Sequence, residues 1–173
     1  HDCLGEYYLK QGELTLAIEQ CTKALEIKPT SAYAHINLGS ALAKEGRYIE
    51  ALEQFRQAVE LNPDIAGAHY NLGKTLGIQG RFDEALEQFR SAIRLEPDWP
   101  VPMNDFAFLV AAHPELKNRD VNEAIRLARR TCELTEYKNI AYLNTLAAVY
   151  ACAARFSEAA QTLETALNLD PNS

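Results

Sequence analysis

The sequence predicts an all-α protein in which antiparallel helix pairs stack one on the next, and three observations predict it. Residues 32–65, AYAHINLGSALAKEGRYIEALEQFRQAVELNPDI, align without a gap on residues 66–99, AGAHYNLGKTLGIQGRFDEALEQFRSAIRLEPDW, and 20 of the 34 positions are identical. A self-match at a fixed period is the signature of a repeat array. Within each copy the apolar residues recur at helical spacing, as in Ala34, Leu38, Ala41 and Leu42, which is one face of an α-helix. Each copy is also punctuated twice, by Gly46 or Gly80 between its two apolar runs and by Pro63 or Pro97 behind the second. Glycine closes a helix in the left-handed conformation, and proline cannot continue one.

The elements then follow in order. Residues 1–31 fit the same frame with the opening positions missing: Leu4, Gly5, Tyr8, Gly12, Ala17, Cys21, Ala24 and Pro29 fall on the repeated positions. A first helix is expected to about Gln11 and a second from about Leu14 to Ile27. In units two and three the second helix carries Tyr48/Phe82, Ala51/Ala85, Phe55/Phe89 and Ala58/Ala92 on one face. Gly39, Ala51 and Ala58 are small because paired helices approach closely only where side chains are short, and Leu38 and Phe55 fill the holes beside them. Unit four departs from the frame. Asp98 is the expected N-cap of a helix whose first turn tolerates Pro100 and Pro102, and Phe106, Ala107 and Val110 continue it. Ala124 stands 17 residues after Ala107, where Ala51 stands 12 after Gly39. The five extra residues predict an inserted turn at 113–120, HPELKNRD, with Asp120 and Glu123 as a capping box opening the next helix. Unit five returns to the pattern with Leu146, Ala147, Tyr150, Phe156, Ala159, Leu163, Ala166, Leu169 and Pro171, and Ala154 takes the place of the turn glycine. With no polar capping helix after Leu169, the chain is expected to be an excised segment or one lacking its cap.

These residues at a 34-residue period resemble the tetratricopeptide repeat. The resemblance implies a single domain over 1–173 with units at about 1–31, 32–65, 66–99, 100–139 and 140–173, the first truncated. It also implies a right-handed superhelical solenoid in which each unit touches only its neighbours.

Composition narrows the function. Seventeen Lys and Arg against 24 Asp and Glu give a net charge of −7, which disfavours nucleic acid, whose binders draw affinity from basic stripes. No apolar run approaches the roughly 18 residues needed to cross a bilayer, so no membrane insertion is expected in this segment. Cys3, Cys21, Cys132 and Cys152 form neither a CxxC pair nor a Cys/His cluster, so they read as small buried or half-buried thiols, and a soluble, cytoplasmic setting is expected over a secreted one. His35 and His69 share one repeat position, which places them about 10 Å apart; a zinc ligand sits at about 2 Å, so they are expected to fill interhelix seams and hold no metal. His1 and His113 complete the set. No nucleophile–base–orienter constellation or phosphate loop is present, and the expectation is a non-enzyme without cofactors.

Binding is the positive expectation. The outer face of the first helices should present Tyr33, Asn37, Ser40 and Lys44 from unit two, then Tyr70, Asn71, Lys74 and Ile78 from unit three. Asn104, Asp105 and Phe108 follow from unit four, and Asn144 and Thr145 from unit five. Amides donate to and accept from a peptide backbone, and tyrosine offers contact area at small entropic cost. The expected function is a protein–protein interaction scaffold that holds a partner's peptide in a concave groove. In O-linked N-acetylglucosamine transferases of this repeat family, an asparagine ladder holds peptide backbone; the matching positions here read Cys3, Asn37, Asn71, Asp105 and Thr145, a partial ladder. The carboxylate clamp of chaperone co-factors needs paired cations, and its positions do not supply them here. Two other readings stay open: a recognition arm of a larger enzyme, such as a glycosyltransferase, with its catalytic domain outside this chain, and a self-assembly module acting through exposed array ends. Arg126, Arg129 and Arg130, like the Glu/Arg runs at 50–60 and 84–94, are read as solvated helix faces.

Overall fold

The computed structural model describes residues 2–169, excepting the side chains of residues 2, 3, 114 and 117–119. His1, Pro171 and the Cys3 side chain, all named above, lie outside the described residues. The elements are α1 (Asp2–Gln11), α2 (Leu14–Ile27), α3 (Ala32–Lys44), α4 (Tyr48–Leu61), α5 (Ala66–Ile78), α6 (Phe82–Leu95), α7 (Pro100–Ala112), α8 (Pro114–Leu134), α9 (Ile140–Cys152) and α10 (Phe156–Leu169). No strand occurs among the described residues. The fold is all-α, built of helix–turn–helix repeats, and the expected ends of α1 and α2 agree with those observed.

The chain divides into two compact units, His1–Glu96 and Pro97–Ser173. In the first, α2 and α4 each pack on their own partner and on the odd-numbered helix that follows, α6 packs on α5, and α1, α3 and α5 also touch in series. That is the packing order of a solenoid. In the second unit α7 pairs with α8 and α9 with α10, α8 packs on α9, and α7 touches α9.

Packing explains the repeated residues. A Cβ added at Gly39 would meet the Phe55 ring at 2.8 Å, so the glycine is what lets that ring lie across α3. Ala51, Ala58, Ala85 and Ala92 are fully buried where the helices cross. At the α3–α4 turn Gly46 has φ +80°, and the Gly46 N–H donates to the Ala43 carbonyl at 3.1 Å while the Arg47 N–H reaches Leu42 at 2.9 Å. This is the paired capping of a helix C-terminus closed by a left-handed residue. The last turn repeats the geometry with Ala154 at φ +58° and Arg155 N–H on the Tyr150 carbonyl at 2.8 Å.

Unit four corrects three expectations. Residues 114–120 are helical: α8 runs unbroken over 21 residues from Pro114, and His113 alone separates it from α7. Proline suits the first helical position, because the N–H it lacks has no intrahelical partner there. Glu115 adds an acid to the first turn, and Leu116, only 3% exposed, ties it to the core. Asp120 therefore opens no helix with Glu123; it lies inside α8, buried. Asp98 is not the N-cap of α7, a place taken by Trp99. Its carboxylate instead accepts from Arg130 Nη2 at 2.8 Å. Arg130 also faces Glu133 and Arg126 faces Glu123, so this arginine cluster is largely compensated.

Candidate peptide-binding site

His35 and His69 sit in helix seams, as their repeat position implies. His35 places Nδ1 2.8 Å from the Gln54 amide and Nε2 3.1 Å from the Pro29 carbonyl. His69 does the same with Gln88 at 2.8 Å and Pro63 at 2.9 Å. A carbonyl only accepts, so Nε2 carries the hydrogen in each ring. Each histidine ties an odd-numbered helix to the helix behind it and to the loop before it. Among the described residues no group of three or more His, Cys, Asp or Glu side chains could hold a metal ion.

The exposed side of α3 and α5 is different. Between these helices lies a cavity of about 330 Å³ whose wall includes Ser40, Lys44, Asn71 and Lys74, all of them residues expected on this face. Tyr48 and Phe55 from α4 contribute to it, as do Ala43, Thr75 and Ile78. Local geometry explains the order of these groups. Thr75 Oγ1 donates back to the Asn71 carbonyl at 2.8 Å, so the threonine's polar atom is satisfied within α5. Lys74 stands over the Tyr70 ring, its Nζ 5.9 Å from the centroid, and Tyr70 leans on Phe89 at 6.1 Å between centroids. A cation over an aromatic face is held loosely enough to turn toward a ligand. Lys44 Nζ reaches the Leu9 carbonyl at 3.4 Å, near the C-terminal end of α1 where cations are favoured.

The other expected residues are placed apart from this cavity. Tyr33 is on α3, 63% exposed, and Asn37 is half-buried on the same helix; neither lines it. In the second unit α7 carries Phe108, 58% exposed, and the half-buried pair Asn104 and Asp105. Asn104 Nδ2 donates to Asp105 Oδ1 at 3.4 Å, while its own Oδ1 is buried with no hydrogen-bond partner among the described residues. The sequence reading missed Tyr48, Phe55, Ala43 and Thr75. Tyr48 and Phe55 belong to the second helix of their repeat, whereas the expected binding face is drawn from the first helices. The presence of Gly39 opposite Phe55 was the available signal, since a missing Cβ lets that ring reach the far side.

A second cavity, about 270 Å³, lies between α9 and α10, lined by Ile140, Asn144, Leu163, Ala166 and Leu167. Leu163, Leu167 and Leu169 leave 43–55% of their surface exposed. Of the described cysteines, Cys21 and Cys132 are buried and Cys152 is half-buried. Burial, with a smaller contribution from Glu133, pushes the Cys132 thiol up to about 11. No helix among the described residues is long and apolar enough to cross a membrane.

Comparison with known proteins agrees with this architecture. Residues 36–100 match a family model described as Tetratricopeptide repeat, and residues 5–46 match one described as TPR repeat. No curated protein matches the chain in sequence. Among solved structures, MamA superposes with a TM-score of 0.83 at 20% identity, covering 97% of this chain and 88% of that one. A MamA segment from Desulfovibrio magneticus RS-1 gives 0.84 at 16% identity, covering 98% and 92%. YrrB, described as a TPR protein with an unusual peptide-binding site, gives 0.82 at 20% identity, covering 97% and 84%. At such identities the likeness speaks for the fold. With the repeat spacing, the glycine-closed turns and both family matches in agreement, the chain belongs to the tetratricopeptide repeat family.

Proposed function

We propose that the chain is a non-catalytic scaffold that holds a peptide segment of a partner protein against α3 and α5. One observation carries the reading: the cavity between these helices gathers Ser40, Lys44, Asn71 and Lys74 around an aromatic wall. Donors, acceptors and apolar surface in one recess are what a peptide needs, since its backbone must keep its hydrogen bonds as its side chains lose water. That a structural neighbour is described as peptide-binding supports the reading. The test is selection of binders from a random peptide library, followed by affinity measurement with wild type and with Asn71→Ala/Ser40→Ala. Binding that weakens in the variant at unchanged helicity supports the groove. Equal affinity in a folded variant sinks it.

A specific observation also favours self-association through the second unit. Leu163 and Leu167, one helical turn apart, present an apolar strip beside the α9–α10 cavity, and a second copy of the chain is the partner this reading names. Molar mass that rises with concentration, and falls to that of a monomer in Leu163→Glu/Leu167→Glu, is the expected result. Mass independent of concentration removes this reading and leaves the first untouched.

A further inference from the structure

We infer that the α3–α5 cavity selects an internal acidic residue of the bound peptide, an aspartate or glutamate side chain held between Lys44 and Lys74 with an apolar neighbour laid beside it. The inference rests on the peptide-binding reading above and adds the chemistry of what is recognised.

The repeat itself shows how the two cations became available. One unit earlier, the positions equivalent to Ser40 and Lys44 are Glu6 and Lys10, which form an i,i+4 ion pair at 2.6 Å. In α3 the acid is replaced by Ser40, and Lys44 has no carboxylate on its own helix. The next unit puts a lysine, Lys74, at the position of Ser40. Elsewhere in the same unit Lys10, Lys23, Arg47, Arg81 and Arg90 each face a glutamate. Among the described residues Lys44 and Lys74 have only a carbonyl and a ring as partners, and no acid lines their cavity. In a chain of net charge −7, two lysines without carboxylates on one recess are a local reversal of sign.

Charge complementarity then names the occupant. An ammonium group carries three donors and no acceptor, so a pair of them facing one recess calls for an acceptor-only group. A carboxylate accepts from both, and such charge-assisted bonds are shorter and stronger than neutral ones. The Tyr48 and Phe55 rings at the wall lower the local polarity, which strengthens the attraction. The Ser40 hydroxyl and Asn71 amide are left to meet the adjoining backbone. At about 330 Å³ the recess exceeds one acidic side chain, and Ile78, 53% exposed, offers the surface for an apolar neighbour. Lys74 occupies one position that the carboxylate clamp of chaperone co-factors also uses, whereas Lys44 stands one helical turn beyond the matching position of α3 and takes no part in that clamp.

The experiment selects binders from a library of random 12-residue peptides fused at their C-termini to a phage coat protein, so that every available carboxylate belongs to a side chain. Wild-type chain should enrich peptides with Asp or Glu at one fixed position beside an apolar residue. A synthetic peptide of that sequence should bind about tenfold more tightly than its Gln or Asn counterpart, and the gap should shrink as salt rises. Lys44→Gln/Lys74→Gln should bind both peptides equally, with unchanged helicity because both side chains are exposed. Lys74→Glu should enrich a basic residue at the same position. Binders without an acid, or an acid preference that survives in Lys44→Gln/Lys74→Gln, overturn the inference while leaving the groove in place. Failure to enrich any peptide, or binders indifferent to Asn71→Ala, overturn the groove and this inference together.

Discussion

Ala154 holds a backbone conformation that its side chain resists. Its φ of +58° brings Cβ toward the neighbouring carbonyl, a strain of roughly 1–2 kcal/mol that glycine does not incur. Ala154→Gly should therefore raise the stability of the second unit by about 0.5–1 kcal/mol, since the glycine's greater freedom when unfolded offsets part of the relief. Thermal melting checks it, and an unchanged or lowered midpoint contradicts it. Cys132 makes a prediction about pH. Its ordinary value of 9.0 is pushed up to about 11 by burial, so the folded thiol keeps its proton where the unfolded one has lost it. The unfolded state thus binds fewer protons between about pH 9 and 11, and stability falls as pH rises through that window. Because the thiolate is the nucleophile, iodoacetamide at pH 8 should label half-buried Cys152 well before Cys132. Peptide mass mapping reads the order, and Cys132 labelled first in the folded protein contradicts it.

At the scale of elements, α8 shows what repeat spacing can and cannot fix. Ala124 was correctly counted as the small residue of its helix, and it is fully buried. The five residues in excess of the repeat spacing predict a turn before it, and His113, Pro114, Asn118 and Asp120 are residue types that favour turns or caps. Local propensity lost to tertiary contact: Leu116 is buried, and a prolonged helix is the conformation that keeps it there with its backbone paired. Leu116→Ala should cost about 2–4 kcal/mol and speed amide exchange over 114–120 more than over 124–134. Equal exchange along α8 would show that the extension does not depend on this contact. By contrast, units two and three were legible almost to the residue, because 20 shared positions constrain two copies at once and any misreading in one is exposed by the other. Asp98 misled for a simpler reason. A capping residue and an ion-pair partner look alike in sequence, and only the position of Arg130, 32 residues later, separates the two.

For the whole molecule, the site was less legible than the fold because a face can be read from periodicity while a recess cannot. Periodicity places Tyr33, Asn37, Ser40 and Lys44 on one side of α3, but it does not say that Phe55 reaches the same recess from α4, or that Lys74 joins Lys44 there. Those facts depend on how closely α3, α4 and α5 approach, which Gly39 and the buried alanines decide. Every group of the proposed recess belongs to the unit His1–Glu96, and in a repeat array stability is carried by contacts between neighbouring helices. A chain ending at Glu96 should therefore remain helical and keep the wild-type affinity for a selected peptide within about threefold, a difference of less than 1 kcal/mol. Circular dichroism establishes the fold, and titration of the same peptide against the full chain and the shortened one establishes the affinity. A shortened chain that is folded yet no longer binds would mean that the peptide needs groups from residues 97–173, and the recess between α3 and α5 could then not be the whole site.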